Sequence, residues 1–369
     1  MIDRIRKALG ELREGWLSLA VSLVLGLAGA VLFVQLRMPL PWVIGPIFAN
    51  IVAALCGVKL WIPNWFRLPM FAVIGALFGM TVTPAFFSHI PQWWPSMVAV
   101  AIWVALAVAA VTWYMRRIAQ YDIVTSFFSS TPGGMVAAIA MATEYGADVR
   151  TVSLSQSMRL IVTVFTIPLA FRIFGDFQPT GSVAFNTVTT PMTDLDLVLA
   201  LAGVFGGYWA GKLMRLPSPH LLGPMMGIAA LNLAGAISLQ FPDPLVAAAQ
   251  LVIGSAIGAA FTGVRIRSVG RAMGHGIAAG FVMLAVSVVC AVVTYWIIGA
   301  HRIELFLSFA PGGFAEMALV AFGLHADLTF VIFHQLVRYI LVMASTPAMV
   351  AVLKSRGIIK SRRELLGRD

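Results

Sequence analysis

The sequence predicts an all-α integral membrane protein built from two tandem, inverted repeats. Each repeat holds about five transmembrane helices plus one re-entrant or broken helix at a Pro-Gly-Gly. Three observations predict this. Of 369 residues, 60% are hydrophobic and only 11% charged, with a mean hydropathy of +0.92; a soluble domain carries about 25% charged residues, so this chain cannot cover itself toward water. Apolar runs recur at close to the length of roughly 20 residues that a helix needs to cross a bilayer core. The second half of the chain restates the first.

The apolar runs lie at 17–36, 42–58, 69–87, 96–115, 151–174, 196–214, 219–240, 244–263, 274–298 and 328–353. Two more, 125–143 and 305–323, are interrupted by Pro-Gly-Gly. The first run follows Arg4, Arg6, Lys7 and Arg13 and contains Ala28-Gly29-Ala30, which imitates a signal-peptide cleavage site. Its counterpart at 196–214 lies mid-chain, so the run belongs to the fold. The organisation expected is a cytoplasmic segment 1–16, repeat one at 17–176, an external connector 177–195, repeat two at 196–353 and a basic cytoplasmic tail 354–369.

The duplication is read residue by residue. Arg37 and Pro39-Leu40-Pro41-Trp42-Val43-Ile44-Gly45-Pro46 match Arg215 and Pro217-Ser218-Pro219-His220-Leu221-Leu222-Gly223-Pro224, at an offset of 178. After one inserted residue the offset becomes 179 and holds. Gly75, Gly79 and Thr83 then match Gly254, Gly258 and Thr262; Thr131-Pro132-Gly133-Gly134 matches Ala310-Pro311-Gly312-Gly313; Gln156 and Arg159 match Gln335 and Arg338.

Charge sets the orientation. With five crossings per repeat and the N-terminus inside, 20 Lys and Arg fall on the cytoplasmic side and 3 outside, leaving Arg159 and Arg338 within the membrane. If the Pro-Gly-Gly stretches crossed as well, the split would be 16 to 7, which the positive-inside rule disfavours. An odd number of crossings inverts one copy relative to the other, an architecture common among secondary transporters. The net charge of +10 is accounted for by these loops. With no basic stripe interleaved with aromatics, nucleic acid is not an expected partner. Cys56 and Cys290 lie far apart in apolar segments and form neither a disulfide framework nor a metal site.

The candidate solute-binding residues are Thr131, Pro132, Gly133, Gly134, Gln156 and Arg159 in the first copy, with Pro311, Gly312, Gly313, Gln335 and Arg338 in the second. Proline breaks the helical ladder and glycine opens conformations closed to other residues. Irregular backbone survives at membrane depth only inside the protein or along a wet cavity. Helix N-termini after such breaks offer N–H groups to an anion; the alternative is a kink with close helix packing. The Gln-x-x-Arg spacing puts both side chains on one helix face. An intramembrane Arg costs at least about 2.5 kcal/mol to insert. It serves either an anionic group, through its bidentate fork, or the structure, by capping carbonyls or pairing with Glu144 or Glu316. Glu316 stands where the first copy has Ala137 and is the candidate ion-coupling group, with a salt bridge to Arg338 as the structural alternative. Asn50 and Asn232 suit bonds between helices, and His334 suits packing or assistance to protonation. No catalytic or metal-binding pattern and no cofactor motif is found, so an enzyme is not expected.

These residues together — paired Gly-Pro, paired Pro-Gly-Gly and paired Gln-x-x-Arg over residues 17–353 — resemble the bacterial AbrB membrane family. Its members carry labels as ammonia monooxygenases or regulators, and it shares its name with a soluble DNA-binding regulator. Neither label follows from these residues: an oxygenase needs a copper or iron ligand set, and a DNA-binding regulator a basic element outside the membrane. The breaks are also similar to those on the crossing helices of bile-acid and cation–anion symporters. The expectation is therefore a multi-pass inner-membrane transporter of a small organic anion, coupled to protons or sodium. The alternative is a membrane sensor or regulatory scaffold acting on gene expression through a partner. Membrane lipid and a small-molecule or ion solute are the expected partners, and a homodimer is compatible.

Overall fold

The structure is a computed structural model. It describes residues 2–174 except 134, and 194–355 except 217, 238–240, 265, 300–301 and 325. The expected connector and basic tail lie almost wholly outside these residues, as does Gly134. All regular structure described is helical. The first copy supplies α1 (Ile2–Gln35), α2 (Pro41–Leu55), α3 (Asn64–Gly79), α4 (Pro84–His89), α5 (Trp94–Arg117), α6 (Ile123–Ser130), α7 (Met135–Glu144) and α8 (Val149–Phe174). The second supplies α9 (Asp194–Leu213), α10 (Pro219–Leu233), α11 (Asp243–Ala259), α12 (Ile266–Ile298), α13 (Arg302–Phe309), α14 (Phe314–Gly323) and α15 (Leu328–Ser355).

Five described stretches are long and apolar enough to cross a membrane: Gly15–Gln35, Phe86–Arg117, Val149–Ile173, Gly270–Ile298 and Leu328–Ala351. The spans expected at 42–58, 69–87, 219–240 and 244–263 form shorter helices of 15, 16, 15 and 17 residues. At 1.5 Å per residue these measure only about 22–26 Å. The shortening is local. Pro41 and Pro219 set the starts of α2 and α10, each preceded by a left-handed residue, Leu40 (φ 52°) or Ser218 (φ 51°). The run at 69–87 is divided by a turn through Thr81 and Val82 before Pro84 opens α4.

The chain forms two compact units, and each draws on both copies. The first comprises Met1–Phe87 and Pro168–Ile266, the second Ser88–Ile167 and Arg267–Asp369. In the first unit α2 packs on α1 and on α11, while α10 packs on α9 and on α3. Glycines permit these crossings. A Cβ at Gly45 would collide with Gly29 O, and one at Gly223 with Gly207 O. Gly254 faces Val43 O as its counterpart Gly75 faces Leu221 O. Matching residues thus meet matching neighbours, with helices exchanged between the copies. Small residues allow such close approach where lipid supplies no hydrophobic drive between helices.

The second unit holds both broken helices. Its core gathers Trp103 and Met115 of α5, Met283 of α12, Phe309 of α13 and Phe330 of α15, all buried. A smaller cluster packs Phe127 and Phe128 of α6 against Val152 of α8 and Val350 of α15. Gly276 and Gly280 let α12 lie against Ser155 and Arg159 of α8. The equivalent pairing of the other two helices brings Ser96 of α5 to His334 of α15.

Candidate functional site

Each Pro-Gly-Gly is a true break. Helix α6 stops at Ser130 and α7 begins at Met135; α13 stops at Phe309 and α14 begins at Phe314. Thr131, Pro132, Pro311 and Gly312 are buried, and Gly133 and Gly313 half-buried. The two breaks are built differently. Gly133 has φ +122°, open to glycine but strained for other residues. Gly312 lies outside that region; a Cβ there would instead meet the Met317 side chain.

A helix that ends inside the protein leaves carbonyls without partners. Here the unbroken helices supply them. From α8, Gln156 Nε2 donates to Phe128 O (2.8 Å) and lies 3.3 Å from Thr131 O, and Arg159 Nη1 donates to Thr131 O (2.7 Å). Arg159 Nη2 also donates to Gln156 Oε1 (2.8 Å), which locks the pair. From α15, Gln335 Nε2 donates to Leu307 O (2.8 Å), Arg338 Nη1 to Ala310 O, and Arg338 Nη2 to Gly312 O (2.8 Å). The guanidinium charges sit at the C-terminal ends of α6 and α13, where the helix dipole is negative. Carbonyl capping is therefore the contact the structure gives both arginines.

Something remains unspent. All four of these side chains are buried, and Arg159 Nε, Arg338 Nε, Gln335 Oε1 and Ser129 Oγ have no hydrogen-bond partner among the described residues. Buried polar atoms without partners are uncommon, and each calls for an explanation. Arg338 lies 5.7 Å from the Trp103 ring, a cation–π contact. Glu316 is in the first turn of α14, half-buried, with its carboxylate folded against Gly313.

Several supporting residues were not singled out by sequence. The Ser287 hydroxyl of α12 accepts from Trp103 Nε1 (3.0 Å) and lies 3.0 Å from Phe309 O, at the end of α13. Thr112 and Ser130 hydroxyls are bonded beside the first break (2.8 Å). Ser96 Oγ lies 2.7 Å from His334 Nε2, whose Nδ1 is 2.8 Å from Phe330 O. A hydroxyl inside a long apolar run was the available signal for each. Asn50 and Asn232 lie in the other unit and bond between segments, Asn50 to Ser22 O and Asn232 to Met80 O and Val82 O. Among the described residues no three His, Cys, Asp or Glu side chains are grouped to hold a metal.

Both broken helices and both Gln-x-x-Arg pairs lie inside a segment that matches a known family. A family model described as "Transition state regulatory protein AbrB" matches residues 42–354. The chain belongs to the AbrB family. Among AbrB relatives, "Uncharacterized protein YhjN" of Bacillus subtilis (strain 168) is 31% identical over 297 residues, 76% of this chain and 77% of its own. "Putative regulator AbrB" of Escherichia coli (strain K12) is 27% identical over 336 residues, 90% of this chain and 95% of its own.

Proposed function

We propose that this AbrB-family protein is a secondary transporter of the bacterial inner membrane, carrying a small organic anion driven by protons or sodium. The observation that carries the reading is a pair of buried arginines at two helix breaks, each with its Nε–H unspent. Cations at membrane depth are costly, and they concentrate on substrate and ion pathways. Discontinuous helices at matching places in two halves have the same association. A carboxylate lying between the breaks would accept from the free Nε–H groups. In the second break Glu316 supplies a carboxylate of its own, absent from the first copy, and is suited to titrate or to hold a cation as the site fills.

Purified protein in lipid nanodiscs tests this by thermal shift over a panel of organic anions, followed by uptake into proteoliposomes under an imposed proton or sodium gradient. One or a few anions should raise the melting temperature and accumulate only with the gradient. No stabilising anion, or accumulation indifferent to both gradients, overturns the reading.

The name of the Escherichia coli relative favours a second reading, a sensor whose ligand signals through a partner. Stabilisation by an anion with no accumulation in vesicles selects it over transport.

A further inference from the structure

The second unit carries a groove of about 660 Å³ between α5 and α15, and its floor is Thr131 and Pro132 of the first break. One wall is a ladder along a single face of α5: Ala101, Ala105, Ala109, Trp113 and Arg117, each four residues after the last. The facing wall is α15, through Leu341, Ser345 and Met349 at the same spacing. The ladder changes character along its length. Its first three rungs are alanine, the fourth is Trp113, and it ends on Arg117 beside Arg116.

From Ala101 to Arg117 the helix rises about 24 Å. One leaflet, hydrocarbon plus headgroup, is about 20–22 Å thick. Tryptophan favours the interfacial depth and arginine the headgroup level above it. The hydroxyls along the groove turn to their own surroundings, Ser345 Oγ to Val342 O at 3.4 Å. Thr346 Oγ1 donates to Val342 O (2.7 Å), Thr131 Oγ1 to Phe128 O (3.0 Å), and Thr112 is bonded to Ser130 (2.8 Å). Charge collects at one end only. Arg116 and Arg117 are exposed, and Arg271 reaches the Ala119 carbonyl just beyond them (3.4 Å). The neighbouring carboxylate, Asp122, is occupied in capping Thr125 N–H (2.9 Å).

We infer that this groove is a binding site for an anionic phospholipid of the bilayer, its acyl chain between α5 and α15 against Pro132 and its phosphate on Arg116 and Arg117. A dry channel one leaflet long with cations at its mouth complements that molecule. It does not complement a small hydrophilic anion, which would leave the channel's apolar length unfilled. The inference stands independently of any transport activity. It gives the break at Thr131-Pro132 a lipid chain as its outer support, so lipid composition bears on the rigidity of that break.

The test uses the full-length protein, delipidated in detergent. Phosphatidylglycerol and phosphatidylcholine with identical chains are titrated in, with native mass spectrometry and thermal shift as readouts. Phosphatidylglycerol should be retained in preference and should raise the melting temperature more. Arg116→Gln with Arg117→Gln, both exposed positions, should cut that preference by roughly tenfold or more, and added salt should weaken it. Ala105→Phe, filling the groove from an exposed position, should reduce retention of both lipids while the lipid-free protein melts as the parent does. Equal retention of the two lipids by the parent protein overturns the inference. So does undiminished preference in the double variant, or displacement of phosphatidylglycerol by a free long-chain fatty acid at equal concentration.

Discussion

Arg159 and Arg338 make the same bond in two copies of one motif: each places Nη1 on the carbonyl of the residue just before the break proline, Thr131 or Ala310. Their second nitrogens diverge. Arg159 Nη2 turns back to Gln156, whereas Arg338 Nη2 goes forward to Gly312 O. The first break is therefore held by a coupled pair, and the second by an arginine spanning two carbonyls with Gln335 acting separately on Leu307 O.

That difference predicts unequal losses. Arg338→Met strips the arginine donors from Ala310 O and Gly312 O, and each orphaned buried acceptor costs about 1–3 kcal/mol. Arg159→Met orphans Gln156 Oε1 but leaves Gln156 Nε2 3.3 Å from Thr131 O, one lost acceptor against two, and should cost less. Denaturation of the two variants in matched lipid measures the order, and a larger loss for Arg159→Met contradicts the capping account.

The two glycines should also separate. Gly133→Ala forces an L-residue to φ +122°, a strain of roughly 1–3 kcal/mol. Gly312→Ala carries no such backbone strain, but its methyl would press on Cγ, Sδ and Cε of the buried Met317 side chain, so its loss is one of packing. Met317→Ala should therefore recover part of the melting temperature lost in Gly312→Ala and none of that lost in Gly133→Ala, and equal recovery would show that backbone conformation is not what distinguishes the breaks.

Glu316→Gln addresses coupling. If this carboxylate exchanges the driving ion, the variant should still be stabilised by the transported anion but lose the pH or sodium dependence of uptake. Gly313→Ala should disturb the same step more gently, since the new methyl takes the space in which the Glu316 carboxylate now lies. Gradient-dependent uptake surviving in well-folded Glu316→Gln protein removes the residue from the coupling role.

Orientation has a native probe. Cys56 is exposed just after α2, on the side that carries Lys59 and Arg67, and the charge rule puts that side in the cytoplasm. In whole cells an impermeant maleimide should spare Cys56 and a permeant one should label it. Leu36→Cys, exposed in the turn on the opposite side of α2, should react with both reagents when Cys56 and Cys290 are replaced by serine. The reverse pattern would put the N-terminus outside and contradict the charge-based orientation.

Much of this was legible in the chain. Pro-Gly-Gly inside an apolar run has few readings other than a break, and its recurrence at a constant offset made the case stronger. The Gln-x-x-Arg spacing correctly put both side chains on one face. What each arginine touches has no signal in the sequence, because its partner is a backbone carbonyl, and a carbonyl has no residue type to read. Ser96 and Ser287 are hidden for a related reason: a hydroxyl in an apolar helix reads alike whether it bonds its own preceding turn or another helix. The offsets showed which residues correspond, such as Gly75 with Gly254. They carried no information on which copy packs on which, so the exchange of helices between copies emerged only in three dimensions.

The reach from Arg159 back to Thr131 spans 28 residues, and so does that from Arg338 to Ala310. A ribosome adding about 5–20 residues per second needs on the order of 1–6 s to make that distance. For that interval each half-helix, α6 or α13, has left the ribosome ahead of the arginine that caps it. Its terminal carbonyls then need water or the insertion machinery as partners, since lipid offers none. The half-helix cannot settle alone. α6, α7 and α8 should enter the bilayer together, as should α13, α14 and α15, so the smallest unit of insertion at these two places is a helix triplet rather than a single span.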